Sequence, residues 1–243
     1  MSYRFRLFSY HLLFSIVLAS VSIFLVFFIW YPSPLHSVTG VTNIFLILLS
    51  VDVVLGPILT LLVSKEGKKT LKFDLSVILL LQVGALIYGI GTVAQGRPVW
   101  IVFNVDRFDM VQAYQVDEAY RLRAKPEYQR FSWRGPKWIA AQKPVDIDAQ
   151  NELMFESVFG GVDMPFRPDL YAPYEAAIAT IKQKAAGLSH LKKYNRAESV
   201  EKILAKWPEA DAFLPMMTKS EAVTVLINSG SGRVIAVVLL NPW

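Results

Sequence analysis

The chain contains no cysteine, only three histidines, and few charges, 19% of its 243 residues. Without cysteine there are no disulfides, no thiolate catalysis and no cysteine-based zinc or iron–sulfur sites. The histidines, His11, His36 and His190, fall on separate segments and show no metal-ligand spacing. Low charge with 53% hydrophobic residues and a mean hydropathy of +0.37 excludes a disordered chain. It also argues against a single soluble enzyme domain. The net charge of +5 is unevenly placed: residues 1–97 carry seven basic and three acidic groups, residues 98–243 carry 18 and 17. The basic excess therefore flanks apolar segments and is not a nucleic-acid footprint.

Three long apolar runs dominate the first 96 residues: Leu7–Trp30 with His11 near its start, Thr42–Val63 with one charge at Asp52, and Leu75–Ala94 with none. Each reaches about 20 residues, enough to cross about 30 Å of hydrocarbon at about 1.5 Å per residue. None shows the polar stripe of a soluble helix. The first run follows Arg4 and Arg6, as a signal peptide would. It is too long for one, however, and lacks a small-residue cleavage site, so a retained helix is expected.

Lysine and arginine at the run ends set an orientation. The start carries Arg4 and Arg6, and the segment Ser64–Phe73 carries four lysines, whereas Tyr31–Gly40 has neither residue type. The N-terminus is therefore expected in the cytoplasm and residues 97–243 beyond the membrane, in the periplasm of a bacterium. Trp30, Tyr31 and Trp100 suit the outer interface. The expected fold is an α-helical membrane domain of three spans, residues 1–96, followed by an extracytoplasmic α+β domain, residues 97–243, with an antiparallel sheet.

Within that second domain, Val99–Val105 reads as a strand continuing toward Ala113. Val116–Arg123 reads as a short helix stopped by Pro126, and a short strand is expected near Trp138. Asp146–Phe159 reads as a helix, Gly160–Pro173 as loop, Tyr174–Ala186 as a helix capped by Gly187, and Ser199–Trp207 as another helix. Ala222–Ile227 and Val234–Leu240, joined by Asn228–Arg233, read as a hairpin with a glycine-rich turn.

Asp52 is the sharpest candidate residue. A carboxylate near the middle of a span is costly when ionised and unpaired, and such residues face a bundle interior. Gly56 and Thr60 follow at i+4 and i+8 on the same face. Pro57 removes one main-chain hydrogen bond and frees the carbonyl of Val53, so a kink is expected there. From the cytoplasmic side, Asp52 lies at a depth between those of Gln82 and Tyr88. Its readings are a structural hydrogen bond to Gln82, Tyr88 or a serine of the first run, the gripping of a partner helix, or proton transport, against which one acid in three spans argues. Gly84, Tyr88 and Gly91 share a face suited to close helix packing within the chain. The pairs Asp106/Asp109 and Asp146/Asp148 read as solvated surface. Ser229–Gly232 lacks the context of a serine nucleophile and reads as turn. The stretch Phe131–Trp138, with Arg130, Arg134 and Lys137, reads as amphipathic surface near the membrane. No catalytic residue, metal site or cofactor is expected.

The segments Asp52-Val-Val-Leu-Gly-Pro57, Leu71-Lys-Phe-Asp74, Gln95-Gly-Arg-Pro-Val-Trp100, Phe103-Asn-Val-Asp-Arg-Phe108 and the ending Leu239-Leu-Asn-Pro-Trp243 resemble the type IV pilin accessory protein family, whose members are also called fimbrial assembly proteins. The resemblance covers most of residues 50–110 and the tail, and is loose over 115–215. It implies a non-enzymatic chaperone or assembly modulator of the bacterial inner membrane, with a cognate type IV pilin as partner. Type IV pilins carry an acidic residue early in an apolar N-terminal helix. For gripping such a helix, Asp52, Thr60, Gln82 and Tyr88 supply polar groups, and Gly56 and Gly84 supply room. The competing readings are a membrane-anchored envelope sensor or ligand-binding protein and a small transporter subunit.

Overall fold

The computed structural model describes residues 2–144, 146–155, 159 and 162–243. The chain divides into two compact units, Met1–Gly96 and Arg97–Trp243.

The first unit holds three helices long and apolar enough to cross a membrane: Tyr3–Trp30, Val41–Val63 and Leu71–Gln95. Two of them depart from α geometry. The first winds as a π-helix over Phe24–Trp30, and the second does so over Val51–Leu55, around Asp52 and just before Pro57. Wide turns of this kind recur at functional sites. The helices meet through Val26, Trp30, Phe45, Leu49 and Val93, and Tyr31 donates its hydroxyl to the Val93 carbonyl at 2.8 Å. Their outer faces expose Phe28, Ile47, Leu80 and Leu81, an apolar exterior.

The second unit is a curled sheet of eight strands: β1 Pro98–Asn104, β2 Arg107–Gln112, β3 Lys137–Ala141, β4 Tyr171–Pro173, β5 Ala186–Gly187, β6 Ala212–Met217, β7 Ala222–Asn228 and β8 Arg233–Val238. The order is β4-β3-β1-β2-β6-β7-β8, with β5 on β6. The antiparallel expectation is corrected here. The sheet is mixed, because β1 runs parallel to β3 and β2 parallel to β6. Both parallel pairings join strands separated by long connections. Neither leaves the local turn signature that a hairpin does.

The strand expected to run toward Ala113 is instead a hairpin, folding at Val105–Asp106 into β1 and β2. Val105 adopts φ 60°, a conformation a β-branched residue rarely takes, so its sequence gave no turn signal. β4 lies inside the stretch expected as loop. β6 carries Pro215, which masks it as a strand. The proline falls between the residues pairing β5 (Ala212, Phe213) and those pairing β2 (Met216, Met217), where no ladder N–H is needed. The expected helix Asp146–Phe159 is helical over Ile147–Phe155; its residues 156–158 lie outside the described residues, as do 160–161 of the expected loop. Gly187 does not close the preceding helix, which spans Ile178–Lys184 and ends at Ala185; it sits in β5 with φ −67° and opens the 3-10 helix Leu188–Lys193. The β7–β8 hairpin turns through Gly232 at φ 72°, where a left-handed residue suits glycine. β1 is buried on both faces nearly throughout, as its unbroken apolar run requires.

Candidate functional site

Asp52 lies on the π turn of the second helix and is 8% exposed. The wide turn has a direct consequence for its main chain. In π winding a carbonyl accepts from the N–H five residues on, and for Asp52 that residue is Pro57, which has none. The third helix supplies the donor: Gln82 Nε2 donates to the Asp52 carbonyl oxygen at 2.9 Å. The carbonyl expected to be freed by Pro57 was that of Val53; the π turn shifts the open acceptor to Asp52.

Gly56, one turn on, makes this crossing possible. A Cβ at Gly56 would stand 1.9 Å from Gln82 Nε2. Thr60, another turn on, is buried and lies 2.6 Å through its hydroxyl from His11 Nδ1 on the first helix. The three helices thus line a small, partly open cleft with about 20 Å³ of room, enough for one water-sized group, with His11, Ser15, Asp52 and Gln82 among walls of leucine, valine and phenylalanine. Both Asp52 carboxylate oxygens and Gln82 Oε1 are buried there without a hydrogen-bond partner among the described residues.

Of the six residues expected to serve a partner, the structure brings Asp52, Gly56, Thr60 and Gln82 together. Gly84 and Tyr88 are not with them. Gly84 faces open space, and Tyr88 is 79% exposed. At about 100° per residue, Gly84 and Tyr88 lie about 200° and about 240° around the helix from Gln82. Equal depth put them near Asp52, but rotation carries them away. Close packing within the chain is likewise not the work of Gly84, Tyr88 and Gly91, since Gly91 also faces open space. Gly89 performs it, where an added Cβ would stand 2.3 Å from Leu48 Cδ2. His11 has no metal-ligand spacing in the sequence, yet the fold brings it to the cleft. Its signal was its standing as the one ionisable residue within the first apolar run.

The second unit offers less. Asp106 is exposed, but Asp109 is buried, which corrects the reading of both as solvated surface. Asp109 accepts from Asn104 Nδ2 at 3.3 Å and Arg107 Nε at 3.4 Å. Burial raises its pKa above the ordinary carboxylate value, and Arg107 only partly opposes this. Tyr174 donates to the Gly232 carbonyl at 2.6 Å, and burial pushes its hydroxyl up to about 12. Ser229 donates both its N–H and its hydroxyl to Asp211, at 2.6 and 2.8 Å. These bonds close the turn and hold the Asp211 carboxyl below its usual range. In the aromatic stretch, Trp133 is exposed beside Arg97, while Phe131 packs edge-on against Trp100. Among the described residues no three His, Asp or Glu side chains gather as metal ligands would.

Comparison with known proteins adds the family context. A family model described as "Fimbrial assembly protein FimB" matches residues 1–40. The chain is 30% identical over 198 residues to the fimbrial assembly protein of serogroup E1 from Dichelobacter nodosus, covering 81% of this chain and 74% of that protein. It is 29% identical over 181 residues to the serogroup I fimbrial assembly protein of the same organism, covering 74% and 70%. No solved structure matches it.

Proposed function

This chain belongs to the fimbrial assembly protein family, and we propose that it is a non-enzymatic accessory factor, a chaperone or assembly modulator, for a cognate type IV pilin. In this reading it is a multi-pass protein of the bacterial inner membrane. Its N-terminus is cytoplasmic and its second unit periplasmic, as the six basic residues flanking the apolar helices on one side and their absence from Tyr31–Gly40 support.

The observation that carries the proposal is the unmet polar capacity of the cleft. A carboxylate held among three apolar helices is expensive unless something answers it, and among the described residues no hydrogen bond does so for Asp52. A partner's apolar segment lying against the cleft answers it within the bilayer. Pull-down of pilin from solubilised membranes, together with surface piliation, tests this. Asp52→Ala is expected to lower both while leaving the accessory protein's own level near normal. Asp52→Asn, which keeps the shape and one acceptor, is expected to be milder. Normal piliation in both variants would sink the proposal; disappearance of the Asp52→Ala protein from the membrane would make the residue structural.

A further inference from the structure

We infer that the Asp52 cleft receives a protonated primary amine, delivered as the free amino terminus of a partner protein's apolar helix. The inference rests on the reading above, that the chain holds a partner segment in the bilayer, and specifies which end of that segment the cleft recognises.

The argument is a count of donors and acceptors. Every buried polar atom of the cleft that lacks a partner is an acceptor: Asp52 Oδ1, Asp52 Oδ2 and Gln82 Oε1. The amide nitrogen of Gln82 is already committed to the Asp52 carbonyl, and that bond fixes which way the amide points, because only its nitrogen can donate. His11 Nδ1 and the Thr60 hydroxyl satisfy each other. The Ser15 hydroxyl and the second ring nitrogen of His11 also line the cleft; they supply at most two donors, fewer than the lone pairs of three oxygens, so the missing ligand must bring donors. A protonated amine brings three N–H groups and a positive charge, matching three oxygens, two of them on a carboxylate. A partner's carboxylic acid would bring a single donor and further acceptors, leaving oxygens unmet and setting acid against acid. A hard metal ion needs six or more oxygen ligands, which the cleft does not hold.

The walls select what carries the amine. They are apolar apart from the named groups, so the amine arrives on an apolar body. An amino terminus fits better than a lysine side chain for a further reason. The first turn of any helix has N–H groups with no partner of their own. A helix that begins inside a bilayer must find acceptors for them, and the cleft offers acceptors in surplus.

The test uses the full-length protein in phosphatidylcholine nanodiscs, which contain no primary amine. The probes are a labelled peptide of alternating leucine and alanine, about 20 residues long, with a free amino terminus, and the same peptide acetylated. Fluorescence anisotropy reads both affinities. The free amine is expected to bind about tenfold more tightly or better, as a charge-assisted hydrogen bond allows. Asp52→Asn is expected to remove most of that preference. Equal binding of the two peptides by the wild-type protein overturns the inference, and this comparison needs no variant to fold. Loss of the preference when phosphatidylethanolamine is added overturns it in favour of a lipid headgroup. If pilin is still pulled down while the amine preference is absent, the amine inference fails alone; if the preference holds while pilin is not retained, the partner reading fails.

Discussion

Two uncharged residues, Gly56 and Gln82, support the turn that carries Asp52. Gly56 clears the path of Gln82, and Gln82 satisfies the main-chain carbonyl that Pro57 cannot. Gly56→Ala is expected to displace the amide, break that bond and leave a buried carbonyl unmet, at about 1–3 kcal/mol. Thermal unfolding in detergent measures it. In a Gln82→Ala background the same substitution should cost much less, because the clash and the bond are both already gone. Equal cost in both backgrounds would mean that Gly56 serves something other than Gln82. In the second unit, Asp109 makes a prediction of the opposite kind. Its folded-state pKa is raised by burial, so the folded state binds this proton more tightly than the unfolded state. The stabilisation from that proton is fully present below the ordinary carboxylate range and is lost as pH rises through the folded value. Asp109→Asn is thus expected to raise the melting temperature at pH 7, with the gain over wild type shrinking as pH falls toward about 4. A gain independent of pH would place the effect elsewhere.

At the scale of elements, the second helix trades regularity for presentation. Its π turn and Pro57 together open an acceptor and swing the carboxylate toward the first and third helices. Pro57→Ala restores a donor N–H and removes the ring's clash with the preceding turn. The variant helix is expected to regularise and the protein to melt higher, while Gln82 loses its acceptor and piliation falls. A variant that is both less stable and fully active would show that the π turn owes nothing to the proline. The sheet shows another accommodation of a proline. Pro215 is tolerated in a central strand because β6 changes neighbours there, from β5 to β2. A one-residue shift of this strand would put a missing N–H into a ladder and turn its buried side chains outward.

For the whole molecule, the charge distribution makes a prediction independent of the cleft. An alkaline phosphatase fusion after Trp243 is expected to be active and one after Lys69 inactive, because Arg4, Arg6 and the lysines of Ser64–Phe73 face Tyr31–Gly40 with none. Activity at Lys69 would reverse the orientation and with it the compartment assigned to the second unit. That unit has apolar clusters of its own, around Trp100 with Tyr171 and around Leu226 with Val200. The two units therefore each contain the packing that a separate folding unit needs.

What the sequence alone determined follows from local physics. Three runs of apolar residues announce three long helices, because length and hydropathy suffice for that inference. The β7–β8 hairpin is legible because a glycine-rich turn and two apolar strands lie side by side in the chain. Asp52 stands out because a charge among leucines is conspicuous without any structure. Only the tertiary structure decided the rest. The parallel neighbours of β1 and β2 are distant in sequence, and the turn at Val105 contradicts its residue's own preference. That Gln82 and His11 join Asp52 while Tyr88 turns away depends on helix rotation and on a five-residue π turn, and the π turn changes the phase of every side chain beyond it. The cleft's surplus of acceptors is a property of three helices at once: each contributes an atom whose satisfaction or neglect can be counted only when the other two are in place.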